Sequence, residues 1–228
     1  MRTLLALFLA LSLPAMAKEL KILPDENVCI EYISTGMMSG TSLQCFTNYG
    51  NESYSIEDTV IEIAGIKQET KTVTITKGAD IYAVDMGTMT ATKTKNPMYD
   101  QIMANAGDDP QAFGKQFMAS MGFNETTEKM DIANTTCTVY VGGFGKMCNT
   151  EEGYNLFSSV MGQDKTATRV AIGEAPPDDL LNLLDKVEIV EGPAMPEGFG
   201  LGGDAGTIPE GLPEDMMKML KDLGLQAQ

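Results

Sequence analysis

The stretch TTCTVYVGGFGKMCNT, Thr135 to Thr150, decides the fold of this 228-residue chain. Two short runs of alternating, β-branched residues flank Gly142-Gly143, the pattern of a β-hairpin. Cys137 and Cys148 stand equally far from that glycine pair, so a hairpin centred on it sets them opposite each other. A two-residue turn would place them at a hydrogen-bonded pair, where Cα atoms sit further apart. A four-residue loop, Val141 to Phe144, keeps the pairing and moves them to the closer type. We expect that loop and a Cys137–Cys148 disulfide.

Cys29 and Cys45 straddle Gly36-Met37-Met38-Ser39-Gly40 in the same way, and parity puts both on one face of a hairpin. Four cysteines allow three connectivities. Hairpin geometry favours Cys29–Cys45 with Cys137–Cys148, and closing either short loop contributes about 3 kcal/mol by restricting the unfolded chain. Neither pair has the CxxC spacing of a thiolate metal site, so no metal is expected there. An even cysteine count paired at short range fits an oxidising compartment.

Outward from the two hairpins, Asn27 to Lys95 alternates like an antiparallel meander. Val28-Ile30-Tyr32, Leu43-Cys45, Val60 to Ile63, Val73-Ile75, Ile81 to Val84 and Thr88 to Thr94 read as strands. Turn signals separate them at Asn48 to Asn51, Ala64-Gly65, Lys77 to Asp80 and Met86-Gly87. Pro97 ends this sheet. Helical spacing follows over Met98 to Ala106 and again after Pro110, where Phe113, Phe117, Met118 and Met121 form a broad apolar face closed by Gly122. Strands then resume with the Cys137–Cys148 hairpin, Leu156 to Met161 and Thr166 to Gly173. Pro177-Asp178-Asp179 opens a short helix through Leu184, and Lys186 to Val190 is a last strand. Asp108-Asp109 and Asp178-Asp179 both stand at helix starts, where capping and the helix dipole account for them. The expected class is mainly β (α+β), since many short strands at this spacing indicate a curved sheet or barrel.

The ends read differently. Residues 1–17 have the form of an export signal: Arg2, an apolar run from Leu4 to Leu13, Pro14, then Ala15-Met16-Ala17. That run is too short to span a bilayer, and no later stretch is longer and apolar, so no membrane span is expected. A folded domain is expected over 18–190 and a flexible Gly/Pro-rich linker over 191–212. An amphipathic helix over 213–224 would put Met216, Met219, Leu220 and Leu223 on one face. Within the linker, GFGLGGDAG (Gly198 to Gly206) lacks the strand, helix and Lys-Ser/Thr pair of a phosphate-binding loop.

Composition narrows the function. Lysine and arginine number 16 against 32 acids, a net charge of −16, which disfavours nucleic acid and anionic headgroups. The chain has no histidine, so His-dependent nucleophilic systems, imidazole zinc sites and the common proximal haem ligand are excluded. Its 17 methionines include Met86-x-x-Met89, Met118-x-x-Met121 and Met216-x-x-Met219. Scattered as they are, they read as lining of apolar space rather than as a copper site.

Glu31 to Gly50 (EYISTGMMSGTSLQCFTNYG) and Gly78 to Pro97 (GADIYAVDMGTMTATKTKNP) resemble segments of an uncharacterised family of secreted bacterial proteins related to the LolA-type lipoprotein carriers. CTVY…KMC (Cys137 to Cys148) and TATRVAIG (Thr166 to Gly173) follow in the same order. The resemblance spans Asn27 to Val190 and implies a curved antiparallel half-barrel with short helices packed on its concave side, whose apolar concavity takes acyl chains or similar ligands. The expectation is therefore a periplasmic, non-catalytic binding or carrier protein without a cofactor. Phe113, Phe117, Met118 and Met121 would form its lid or pocket. The alternative is an acidic periplasmic protein that docks a protein partner through the 213–224 helix.

Overall fold

The computed structural model describes residues 21–63, 66–96, 99, 103 and 109–193. The export signal expected over 1–17 and the 213–224 helix with its four apolar residues lie outside the described residues. So do most of the 191–212 linker and of the helix expected over Met98 to Ala106.

The described chain folds into one open sheet of twelve strands. The first meander runs β1 (Val28–Thr35), β2 (Met38–Thr47), β3 (Glu52–Ile63), β4 (Ile66–Lys77), β5 (Asp80–Asp85) and β6 (Thr90–Lys95). After helix α1 (Pro110–Ser120) a second meander follows: β7 (Asn124–Ile132), β8 (Thr135–Gly142), β9 (Gly145–Asn149), β10 (Asn155–Val160) and β11 (Gln163–Ile172). The short helix α2 (Asp178–Leu181) and strand β12 (Glu188–Glu191) complete it. The lateral order is β12-β6-β5-β4-β3-β2-β1-β11-β10-β9-β8-β7. The two meanders are thus sewn together by antiparallel pairing of β1 with β11, while β12 lies parallel to β6.

β1 explains how one sheet carries two cores. Its opening Val28-Cys29-Ile30 is apolar and buried on both faces, the mark of a strand covered on both sides, while Glu31 and Ile33 further along are exposed. Val28, Ile30 and Tyr32 point into the first core, with Ile132, Val139, Cys148, Leu156 and Ala167 of the second meander. That meander curls round them far enough to bring β7 back against β11. Cys29 points the other way, into a core with Cys45, Tyr54, Val73, Ile75, Val84 and Ala91. The chain leaving β11 straps across this second face, where Leu180 and Leu183 are buried, before reaching the β6 edge as β12.

Both disulfides form with the expected partners, with Cα separations of 4.0 Å for Cys29–Cys45 and 5.4 Å for Cys137–Cys148. Cys29 lies directly opposite Cys45. Cys137 does not lie opposite Cys148, which is a correction: Cys148 pairs with Val139, and the bridge runs diagonally. The turn is Gly143-Phe144, with Gly142 opposite Gly145. Gly145 decides the shift. Its φ is +154°, and a Cβ there would stand 1.9 Å from the Ser159 carbonyl oxygen. It therefore belongs in the ladder against β10, which moves the turn one residue along.

β7 was not expected. Its sequence NETTEKMDI is polar and it lies at the sheet edge, so it lacks the apolar alternation that marks a strand. Glu191, assigned to the linker, is the last residue of β12. Asp109 caps α1, accepting from the Ala112 N–H at 2.9 Å, and Asp178 and Asp179 occupy the first turn of α2.

Candidate functional site

A groove of about 340 Å³ lies between α1 and the β8–β9 hairpin. Tyr140 and Met147, paired across the hairpin, form its floor. They alternate with Val139 and Cys148, which face the first core, so the groove lies on the opposite face of that hairpin. α1 supplies the wall through Gly114, Phe117 and Met118, and Ile22 and Leu23 close one end. Lys115, Glu151 and Glu152 add a charged rim.

α1 sits loosely. It buries no residue completely, and Phe113, Phe117, Met118 and Met121 are all half-buried. Phe113 stacks on Phe117 with ring centroids 6.2 Å apart. Of the four expected lid residues, Phe117 and Met118 line the groove, whereas Phe113 and Met121 do not. Lys115 reaches Glu125 of β7 at 3.6 Å and ties the helix to the sheet edge. Gly114 is an unusual choice mid-helix, because glycine weakens a helix. Here it leaves the wall open: a Cβ at that position would find nothing within 4 Å.

Sequence reasoning missed the floor. The signal was present in VYVGGFGKM, where Tyr140 and Met147 are large and apolar at positions alternating with core residues. A hairpin apolar on both faces must be covered on both. Burial, with Glu125 nearby, pushes the Tyr140 phenol above its ordinary range.

A second, more open depression of about 510 Å³ continues the face that the α2 strap leaves uncovered, with Leu43 and Ile56 among its lining residues. Glu31, which also lines it, pairs with Arg169 at 3.0 Å, and Arg169 pairs in turn with Glu174 at the start of the strap. The two carboxylates raise the Arg169 pKa further, and Arg169 holds that of Glu174 below its usual value.

Met86 and Met89, expected as lining, are exposed around the β5–β6 turn. Among the described residues there is no group of three or more His, Cys, Asp or Glu arranged to hold a metal, and no helix long and apolar enough to cross a membrane.

Fold and groove together define a class: a mainly β protein whose disulfide-stapled open sheet carries an apolar groove under a lightly held helix. Two disulfides indicate an oxidising environment. No family model matches the chain, and no curated protein matches it. Among solved structures it is similar to the crystal structure of an uncharacterized conserved protein from Thermus thermophilus. The two share 6% identity over 74% of this chain and 92% of that one, with a TM-score of 0.48.

Proposed function

We propose that this chain is an exported, non-catalytic binding or carrier protein that holds an apolar, lipid-like ligand between α1 and the β8–β9 hairpin. The observation that carries this reading is the groove itself: about 340 Å³, floored by Tyr140 and Met147 and walled by Phe117, Met118 and the open Gly114 position. That volume falls in the range of small-molecule sites, about 300–1,000 Å³, and mostly apolar lining with a few charged groups at the rim is their usual make-up. Methionine and phenylalanine on a helix with no fully buried residue suit an adaptable lid. The two disulfides support a workplace outside the cytoplasm, and residues 1–17 supply the export signal for the periplasm. On this reading the curled second meander is the counterpart of a LolA-type half-barrel, with α1 on the face of the β8–β9 hairpin turned away from the first core rather than on the concave side.

The test is twofold. Native mass spectrometry of protein purified from its host should show a co-purifying lipid-sized mass. Phe117→Asp should abolish binding of an apolar fluorescent dye. Unchanged dye binding together with an unchanged Tm would show that this wall is neither lid nor core, and the reading would fail.

A further inference from the structure

The end of the sheet where β1 terminates carries large apolar side chains that face solvent. Three hairpin tips lie side by side there: Gly36-Met37 between β1 and β2, Met161-Gly162 between β10 and β11, and Gly143-Phe144 between β8 and β9. Met37 is 69% exposed, and Phe144 and Met161 are each 54% exposed. Met38, beside the first tip, is 40% exposed. Single exposed apolar residues are ordinary, but a row of them at one end of a molecule marks a contact surface.

The tips are held in fixed relation. The Gln163 side chain accepts from the Met38 N–H at 2.9 Å and donates to the Met38 carbonyl at 2.8 Å, clasping the first two tips. The Met161 N–H donates to the Phe144 carbonyl at 3.3 Å, joining the second to the third. Gly36 packs so closely that a Cβ on it would stand 2.2 Å from the Gly162 carbonyl oxygen. Met161 itself has a φ of +53°, a left-handed turn position that suits glycine or asparagine. An apolar side chain is kept there against backbone preference, next to a glycine that would accept the conformation freely.

Charge selects the occupant. The chain carries −16, yet 35–40, 142–145 and 160–163 contain no charged residue. With no lysine or arginine the tips have nothing to grip an anionic headgroup, and with no acid they carry no charge that insertion would have to desolvate. They project rather than form a groove, so a protein partner would need a matching cavity, whereas an interfacial lipid layer accepts projecting apolar side chains of any outline. We propose that this end of the molecule docks on a zwitterionic bilayer surface by shallow insertion of Met37, Phe144 and Met161. The docking does not depend on what the α1 groove binds.

The chain has no tryptophan, which makes the test direct. In the full chain, Met37→Trp, Phe144→Trp and Met161→Trp each place a single reporter at one tip, and Val190→Trp on the exposed β12 is the control. With phosphatidylcholine vesicles the three tip reporters should shift to the blue and be quenched by brominated phosphatidylcholine, while the control should not. The combined Met37→Asp, Phe144→Asp, Met161→Asp variant should keep its Tm, because all three positions are exposed. Carrying the Val190→Trp reporter, it should require at least about tenfold more lipid for half-maximal sedimentation. Raising the salt should leave binding by the unsubstituted tips nearly unchanged. Tip reporters that stay unquenched on lipid would overturn the proposal. So would a blue shift that follows protein concentration in the absence of lipid, which would make the tips a contact between copies of the chain.

Discussion

The Tyr154 hydroxyl donates to Asp25 Oδ2 at 2.7 Å, fastening the segment that precedes β1 to the turn between β9 and β10. Tyr154 is buried in the first core, and its backbone closes the same turn: the Thr150 N–H donates to the Tyr154 carbonyl at 2.9 Å. Leu23, held by its N–H to the Tyr49 carbonyl at 2.8 Å, packs on the same core and also closes one end of the α1 groove. The bond therefore links core, turn and groove.

Tyr154→Phe keeps the packing and removes this bond. Because the acceptor is a carboxylate that stays partly solvated, the expected cost is about 1 kcal/mol in a urea titration. A loss under about 0.3 kcal/mol, at the noise of surface changes, would mean that the segment before β1 is not fastened through Asp25.

Tyrosine burial sets the alkaline limit. Desolvation, chiefly, raises the phenol pKa of Tyr32, Tyr54 and Tyr154 well above 10, with Glu52 adding to Tyr54 and Asp25 to Tyr154. The folded pKa lies above the unfolded one, so the stabilisation is complete below about pH 10 and is lost as pH rises beyond it. Tm measured from pH 7 to 11.5 should be flat to about 9.5 and then fall, together with the appearance of tyrosinate absorbance. Tyrosinate absorbance amounting to all seven tyrosines, reached at pH 10 in protein that remains folded, would contradict the buried placement of these three rings.

Gly114→Ala separates helix stability from groove function. The position is helical and open, so alanine should stabilise α1 by about 0.5–1 kcal/mol. If the groove wall is the binding surface, the added methyl group should weaken apolar-dye binding in the same protein. Higher stability with unaltered binding would locate the ligand elsewhere.

Much of the sheet was legible because most of its strands alternate. Cys29 and Cys45 fall opposite each other as parity requires, and the helix after Pro110 begins and ends where Asp109 and Gly122 place it. The Cys137–Cys148 register was not legible. Its determinant, the approach of Gly145 to Ser159 of β10, is a tertiary contact between residues 14 apart. β7 escaped because a polar edge strand takes its order from its neighbour, not from its own pattern. The groove was half legible: Phe117 and Met118 announce themselves by helical spacing, whereas Tyr140 and Met147 join them only once α1 is laid across the hairpin.

Removing either disulfide should cost about 3 kcal/mol, since the sequence separations of 16 and 11 differ little in closure entropy. Paired serine substitutions measured in urea check this. The diagonal bridge offers a sharper test: Gly145→Ala with both disulfides intact should cost about 3 kcal/mol, because β9 cannot stay against β10. A tolerated alanine would restore the hairpin centred on Gly142-Gly143.

The strap across the second face gives the last prediction. Leu180 and Leu183, almost fully buried, are its main apolar contribution to the core that holds Cys29, Cys45, Tyr54 and Ile75. The strap reaches β6 only as a four-residue parallel strand whose side chains are all exposed, so β12 adds ladder bonds but little burial. Most of the strap's stabilisation must then come from the two leucines, and Leu180→Ala should cost about 2–4 kcal/mol. Ile189→Ala, on the exposed strand, should cost less than about 1 kcal/mol. With Leu180 truncated the strap should loosen first, so amide exchange should accelerate over 178–191 before it does in β1 or β8. Equal acceleration in β1 would mean that the strap and the sheet open as one unit and that the second core has no separate lid.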